Sequence, residues 1–219
     1  WPHSDRVLTK TNTRLSADAP RRPLGAVREA LEDGFTDNEV FGMLLGLGRA
    51  FPRAVPGINR LATGLSGNRE FTDDSHDVFT SPRRVRFREM EYAIPVEAVP
   101  AAVTAVRELI DREGWRIEFP IEVRASAADG LWLSTASGRA TGYVAVHRHW
   151  RNDPTEYFAA VEQIMVAHGG RPHWGKMHTR DAEYLRGVYP RFDDFLAVRD
   201  RLDPERLFAN PYLDAVLGP

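Results

Sequence analysis

The sequence predicts an α+β fold, a ferredoxin-like split βαβ antiparallel sheet with flanking helices and an N-terminal helical insertion. Three observations predict it. Between Arg84 and Lys176 the apolar rhythm changes in the order β-α-β-β-α-β. Both helical stretches in that order are bounded by proline at the start and glycine at the end. Before them, a Pro-rich polar connection at 16–25 leads into helical pieces.

Taken in order, Val7 to Asn12 reads as a strand already under way in a chain that starts at Trp1 without methionine. That start suggests the later part of a longer polypeptide, cut by processing, proteolysis or design. Helical pieces follow at about 26–33, 37–51 and 53–65, punctuated by Gly34, Pro52 and Pro56, and residues 66–83 are polar and irregular. Residues 84–94 read as the first strand of the sheet, with a shift in apolar parity that suggests a bulge near Arg88-Glu89. Pro100 opens a helix whose apolar set Val99, Val103, Val106 and Ile110 ends at Gly114. Residues 116–125 form the second strand, where Pro120 argues for an edge position or a bulge. After a long loop comes the third strand, 142–149. Asp153-Pro154-Thr-Glu156 starts a helix with Phe158, Val161, Ile164 and Met165 inward, stopped by Gly169-Gly170. A short last strand would run from Arg171 to Trp174. A helix near 192–202 and a capped turn at Asp203 precede a tail with Pro211-Tyr212-Leu213. The expected organisation is one substrate-binding (cap) domain over 1–219, with 16–83 mainly helical and 84–176 the sheet unit.

Composition narrows the function classes. The chain has 219 residues, 42% of them hydrophobic and 27% charged, which is ordinary for a folded globular protein. A net charge of −2 gives no general attraction to nucleic acid or anionic membrane. No apolar run approaches a membrane-spanning length and no secretory signal is visible. The absence of cysteine removes disulfides, thiolate metal sites and a cysteine nucleophile. A cytoplasmic location is expected, with peripheral membrane association left open.

The residues that could carry chemistry cluster late in the chain. Only two of the 29 basic residues are lysines, Lys10 and Lys176. Lysine offers a compact, titratable charge that arginine cannot, although a surface lysine after a strand would look the same. It lies in Arg171-Pro-His-Trp-Gly-Lys-Met-His178, beside His173. Glu122 and Arg124, two apart on a strand, share a face and could bind a polyhydroxylated substrate and a developing negative charge. A structural Glu–Arg pair is the competing reading. His147 and His149 also share a face and, with His173, could form a metal set, but no carboxylate falls at a recognisable ligand spacing nearby. Trp132, on the loop between the second and third strands, could cover a small-molecule site or plug the core. No Gly-rich phosphate cradle and no hydrolase or zinc-protease motif is present.

Four segments in order carry a resemblance: Arg88-Glu-Met-Glu-Tyr-Ala-Ile-Pro95, Phe119-Pro-Ile-Glu-Val-Arg124, Arg171-Pro-His-Trp-Gly-Lys176 and Leu202-Asp-Pro-Glu-Arg-Leu-Phe-Ala-Asn-Pro-Tyr-Leu213. Together they resemble the C-terminal substrate (cap) region of the aldonolactone oxidases, the D-arabinono-1,4-lactone and L-gulono-1,4-lactone oxidases, FAD enzymes of the vanillyl-alcohol-oxidase type. The resemblance covers nearly the whole chain and implies a partner, the N-terminal FAD-binding domain or fragment, that this chain lacks. It implies hydride transfer from a substrate CH–OH to flavin N5, the cofactor supplying the redox chemistry. In that reading Lys176 and His173 face the flavin, and Lys176, Arg124 and Glu122 form the catalytic set. His147 and Trp132 would meet the sugar lactone or polyol. An alditol oxidase of the same superfamily is the alternative, as is a non-catalytic or metal-binding sugar-binding domain.

Overall fold

The computed structural model describes residues 2–23, 25, 41–65, 68, 70–80 and 85–218. The helix expected at 26–33, Gly34 and the first part of the helix expected at 37–51 lie outside them. The chain divides into two compact units. The first comprises Trp1–Phe87, Trp115–Pro120 and His149–Asn152. The second comprises Arg88–Gly114, Ile121–Arg148 and Asp153–Pro219.

In the first unit the described helices are α1 (Phe41–Ala50), α2 (Val55–Leu65) and the short α3 (Ser75–Phe79). Pro52 opens a 3-10 turn before α2, where its missing N–H costs nothing. Leu45, Val55, Ile117 and Phe119 are buried, and Phe119 meets Phe41 edge-on, with ring centroids 5.3 Å apart. Asn59 ties this core together, donating to the carbonyls of Pro2 and Ile117 at 2.9 and 3.0 Å. The strand expected at 7–12 is absent: those residues take no regular structure and are exposed. Alternation alone does not make a strand without a partner to close its ladder.

In the second unit the sheet has the predicted order of elements. Strands β1 (Phe87–Pro95), β2 (Glu122–Ser126), β3 (Thr141–His149) and β4 (Arg171–Pro172) are arranged β2-β3-β1-β4. That is the split βαβ arrangement, in which each helix crosses to a non-adjacent strand. Helices α4 (Val99–Arg112) and α5 (Thr155–Ala167) supply the crossovers. They cover the face that carries Met90, Tyr92 and Ile94 of β1 and Val144 and Val146 of β3, all of them buried. A Cβ built on Gly142 would overlap Val99 of α4, so glycine there lets the helix lie close on β3. Gly169, at φ +62, ends α5, and the Gly170 N–H returns to the Met165 carbonyl at 3.0 Å. A Cβ on Gly170 would come 2.6 Å from that carbonyl oxygen. Gly170→Ala is therefore expected to cost about 1–3 kcal/mol in thermal unfolding.

Besides the absent strand at 7–12 and the short α3 inside the expected irregular stretch 66–83, three elements of the second unit differ from expectation. β2 starts at Glu122, after Pro120, because proline cannot donate to the ladder; it does lie at a sheet edge, as Pro120 predicted. Residues 115–120 belong instead to the first unit. The β4 ladder breaks after two residues and rejoins, with His173 N donating to Glu91 O and Met177 N to Glu89 O, both at 2.9 Å. In the tail the helix expected near 192–202 forms as α7 (Phe192–Leu202), and two further short helices, α6 (Ala182–Val188) and α8 (Pro211–Leu217), join it in an apolar cluster around Leu185, Tyr189, Phe192, Val216 and Leu217. Asp181 and Asn210 cap α6 and α8, each accepting a backbone N–H at 3.0 Å. The parity shift in β1 marks where its odd positions change neighbours, from Phe119 at Phe87 to charged groups at Glu89 and Glu91.

Candidate functional site

Strand pairing sorts the side chains of the second unit into two faces. Glu122 lies opposite Ala145 and Arg124 opposite Tyr143, so His147 shares their face. Ala93 lies opposite Arg171, which puts Glu89, Glu91 and His173 on that face too. This is the face opposite α4 and α5. Its Tyr143–Arg171 end is covered by the loop 127–140. There the Tyr143 hydroxyl meets Thr135 Oγ1 at 3.0 Å. Arg171 donates to the carbonyls of Thr135, Ser137 and Val188 at 3.2, 2.8 and 2.7 Å.

The other end holds a charged cluster. Lys176 Nζ donates to Glu89 Oε1 and, at 2.9 Å, to Glu91 Oε2. Arg124 Nη2 donates to the same Glu91 oxygen. His147 Nε2 lies 3.3 Å from Glu89 Oε1. Burial disfavours the charged form of Glu89, but the hydrogen bonds and charges of His147 and Lys176 outweigh it and hold the carboxyl at about 2. The Glu122 side chain, on the same face as Arg124, forms no hydrogen bond or ion pair with any described residue.

The turn in the His-Trp-Gly-Lys segment places the lysine. Lys176 N donates to His173 O and Gly175 N to His173 Nδ1, both at 3.0 Å. A Cβ on Gly175 would come 3.1 Å from the His173 ring, a tight contact that glycine avoids. Trp174 turns the other way, packing on the C-terminal apolar cluster, and its carbonyl accepts from the Tyr212 hydroxyl at 2.7 Å. One indole thus fixes the turn from below and leaves His173 exposed and Lys176 over the sheet.

Of the residues singled out from sequence, Arg124, Lys176 and His147 come together, and His173 and Glu122 lie on the same face. Trp132 does not join them; it lies half-buried on its loop, 4.6 Å from the Arg191 guanidinium. Glu89 and Glu91 were missed. The available signal was two carboxylates two apart on a strand whose last residues, Tyr92-Ala-Ile94, are apolar. The histidines weighed as a metal set form no such group. Among the described residues the one trio with suitably close ligand atoms is Asp74, His76 and Asp77. That trio lies at the start of the short helix α3, and its Asp74 pairs with Arg21.

A family profile described as D-arabinono-1,4-lactone oxidase matches residues 1–216. The chain is 44% identical over 219 residues to the L-gulono-1,4-lactone dehydrogenase of Mycobacterium tuberculosis strain H37Rv, covering 100% of this chain and 50% of that protein. It is 30% identical over 221 residues to the L-gulonolactone oxidase of Scyliorhinus torazame, covering 98% of this chain and 49% of that one. A Streptomyces alditol oxidase is 36% identical over 132 residues, 59% of this chain and 31% of its own length. The chain spans about half the length of the curated relatives it matches in full.

Proposed function

The chain belongs to the D-arabinono-1,4-lactone oxidase family, and from that premise we propose that its sheet unit forms the substrate-facing surface of an FAD-dependent sugar-1,4-lactone oxidoreductase. The observation that carries this reading is the cluster in which Lys176 and Arg124 meet on Glu91. FAD would be held mainly by a domain outside these 219 residues, in keeping with relatives about twice as long. The donors present fit the edge of such a group. An ammonium carries three N–H groups, and Lys176 gives two of them to Glu89 and Glu91. His173 is exposed, and the Arg124 side chain is 55% exposed.

Bound FAD would supply the two-electron acceptor for the substrate hydride. The chain's own residues would do the rest. Arg124 would bind the substrate oxygens and favour negative charge as the reacting hydroxyl gives up its proton. Lys176 would place an ammonium N–H beside the flavin. Glu122, whose side chain has no described partner, would accept hydrogen bonds from the sugar hydroxyls. His147, held by Glu89, would line the substrate from the neighbouring strand. The sequence similarity to the alditol oxidase keeps a polyol as the second substrate class.

The test is anaerobic reduction of the flavin in the complete enzyme by L-gulono-1,4-lactone, D-arabinono-1,4-lactone and xylitol. Bleaching by a lactone supports the reading, bleaching by xylitol alone moves it to the polyol class, and no bleaching by any of them rejects it. In the same assay Arg124→Ala is expected to lower kcat/KM by about 100-fold, the size of a lost preorganised electrostatic partner. Its melting temperature should change little, because Arg124 itself is half-exposed and Glu91 keeps its ion pair with Lys176.

A further inference from the structure

The carboxylate joining the two cations has no part in binding substrate in that reading, and it is buried more deeply than either of them. The Glu91 side chain is 4% exposed, against 16% for Lys176 and 55% for Arg124. Its backbone is fixed as well, since β1 is an inner strand and the Glu91 carbonyl accepts from His173 N. Arg124 comes from edge strand β2 and must reach across β3, while Lys176 arrives from the turn after β4. Both are long, rotatable side chains of like charge, which would spread into solvent if nothing held them.

We infer that Glu91 is a positioning residue: by sharing its Oε2 between Arg124 and Lys176 it sets the spacing of the two cations on the substrate face. Glu89 does something different, bridging Lys176 to His147 without touching Arg124. The two carboxylates divide the cluster, and only Glu91 couples both edges of the sheet. The inference rests on the reading of this face as the substrate face.

Two measurements on the complete enzyme test it. The first is a kinetic cycle with a lactone. Glu91→Gln keeps the shape and removes the charge, and is expected to lower kcat/KM by about 30–100-fold with little change in melting temperature. In an Arg124→Ala, Lys176→Met background the same change should cost less than about 3-fold, because residues that act as a unit are not additive. Equal losses in both backgrounds would overturn the inference. The second needs no turnover: amine acetylation followed by mass spectrometry, with exposed Lys10 as internal reference. Lys176 should label several-fold faster in Glu91→Gln than in the unmodified protein, and an unchanged rate overturns the inference. If Glu91→Gln does not accumulate, Glu91→Asp, with the charge on a shorter stem, should show the same change at smaller size. An enzyme that oxidises no lactone would reject the proposed function, while the labelling result would still decide the role of Glu91.

Discussion

In the complete enzyme, Lys176→Met is expected to lower turnover of a lactone by two to three powers of ten and to change how stability depends on pH. The first effect follows from removing the lysine ammonium from the proposed substrate face. The second follows from Glu89. Its folded pKa of about 2 lies below the ordinary 4.5, so the ionised carboxylate stabilises the fold fully above pH 5. That contribution is lost as pH falls from about 5 through 2. At 1.36 kcal/mol per unit it amounts to about 3 kcal/mol. Methionine at 176 removes one of the two groups that hold the pKa down, while the burial that raises it remains. The folded pKa then moves back toward or above the ordinary value. The stability gap between the native protein and Lys176→Met should therefore be largest near pH 7 and should narrow between pH 5 and 2. Chemical denaturation at a series of pH values reads this directly. A gap that is constant with pH, or that widens in acid, would show that Lys176 and Glu89 are not coupled.

The lysine was visible in the sequence because it is rare there, whereas its partners were not. Glu89 and Glu91 look like ordinary solvent-side residues of an alternating strand. Glu91 is buried and Glu89 half-buried, with cations from distant parts of the chain closing over them. Arg124 lies 33 residues from Glu91, and Lys176 lies 85 residues from it. No local pattern reports such pairings. What local patterns do report held: the prolines and glycines that bound α4 and α5, and the order of strands that follows from them. Strand ends were less legible, since a ladder depends on its partner. Hence β2 waits until after Pro120 and β4 breaks at His173. The short helices α6 and α8 fell below the length at which periodicity is readable, although their caps, Asp181 and Asn210, stood in the sequence.

Glu162→Ala is expected to destabilise the protein by about 3–5 kcal/mol, the cost of breaking a buried ionic network. For a chain of this size that is a fall on the order of 10 °C in Tm. Helical spacing puts Glu162 on the same side of α5 as Phe158, Val161 and Met165, and it is 2% exposed. Its carboxylate accepts from the Tyr92 hydroxyl at 2.5 Å, Thr179 N at 2.9 Å, Thr179 Oγ1, and Arg180 Nη2 at 3.1 Å. Burial alone would raise its pKa, yet these bonds hold it below the ordinary range, and burial beside the carboxylate pushes the Tyr92 phenol up. Alanine leaves every one of those donors without its acceptor, which costs more than the bonds themselves contribute. Glu162→Gln keeps an acceptor oxygen and should cost distinctly less. A change of only a few degrees for Glu162→Ala would mean that Tyr92 and Arg180 find other acceptors. The comparison with Lys176 also separates the two sides of β1. Its odd positions, Glu89 and Glu91, hold the cations of the proposed substrate face, so Lys176→Met should act on turnover as well as on acid-sensitive stability. Its even position Tyr92 holds the Glu162 network that anchors residues 179–180 to α5, so Glu162→Ala should act mainly on the fold.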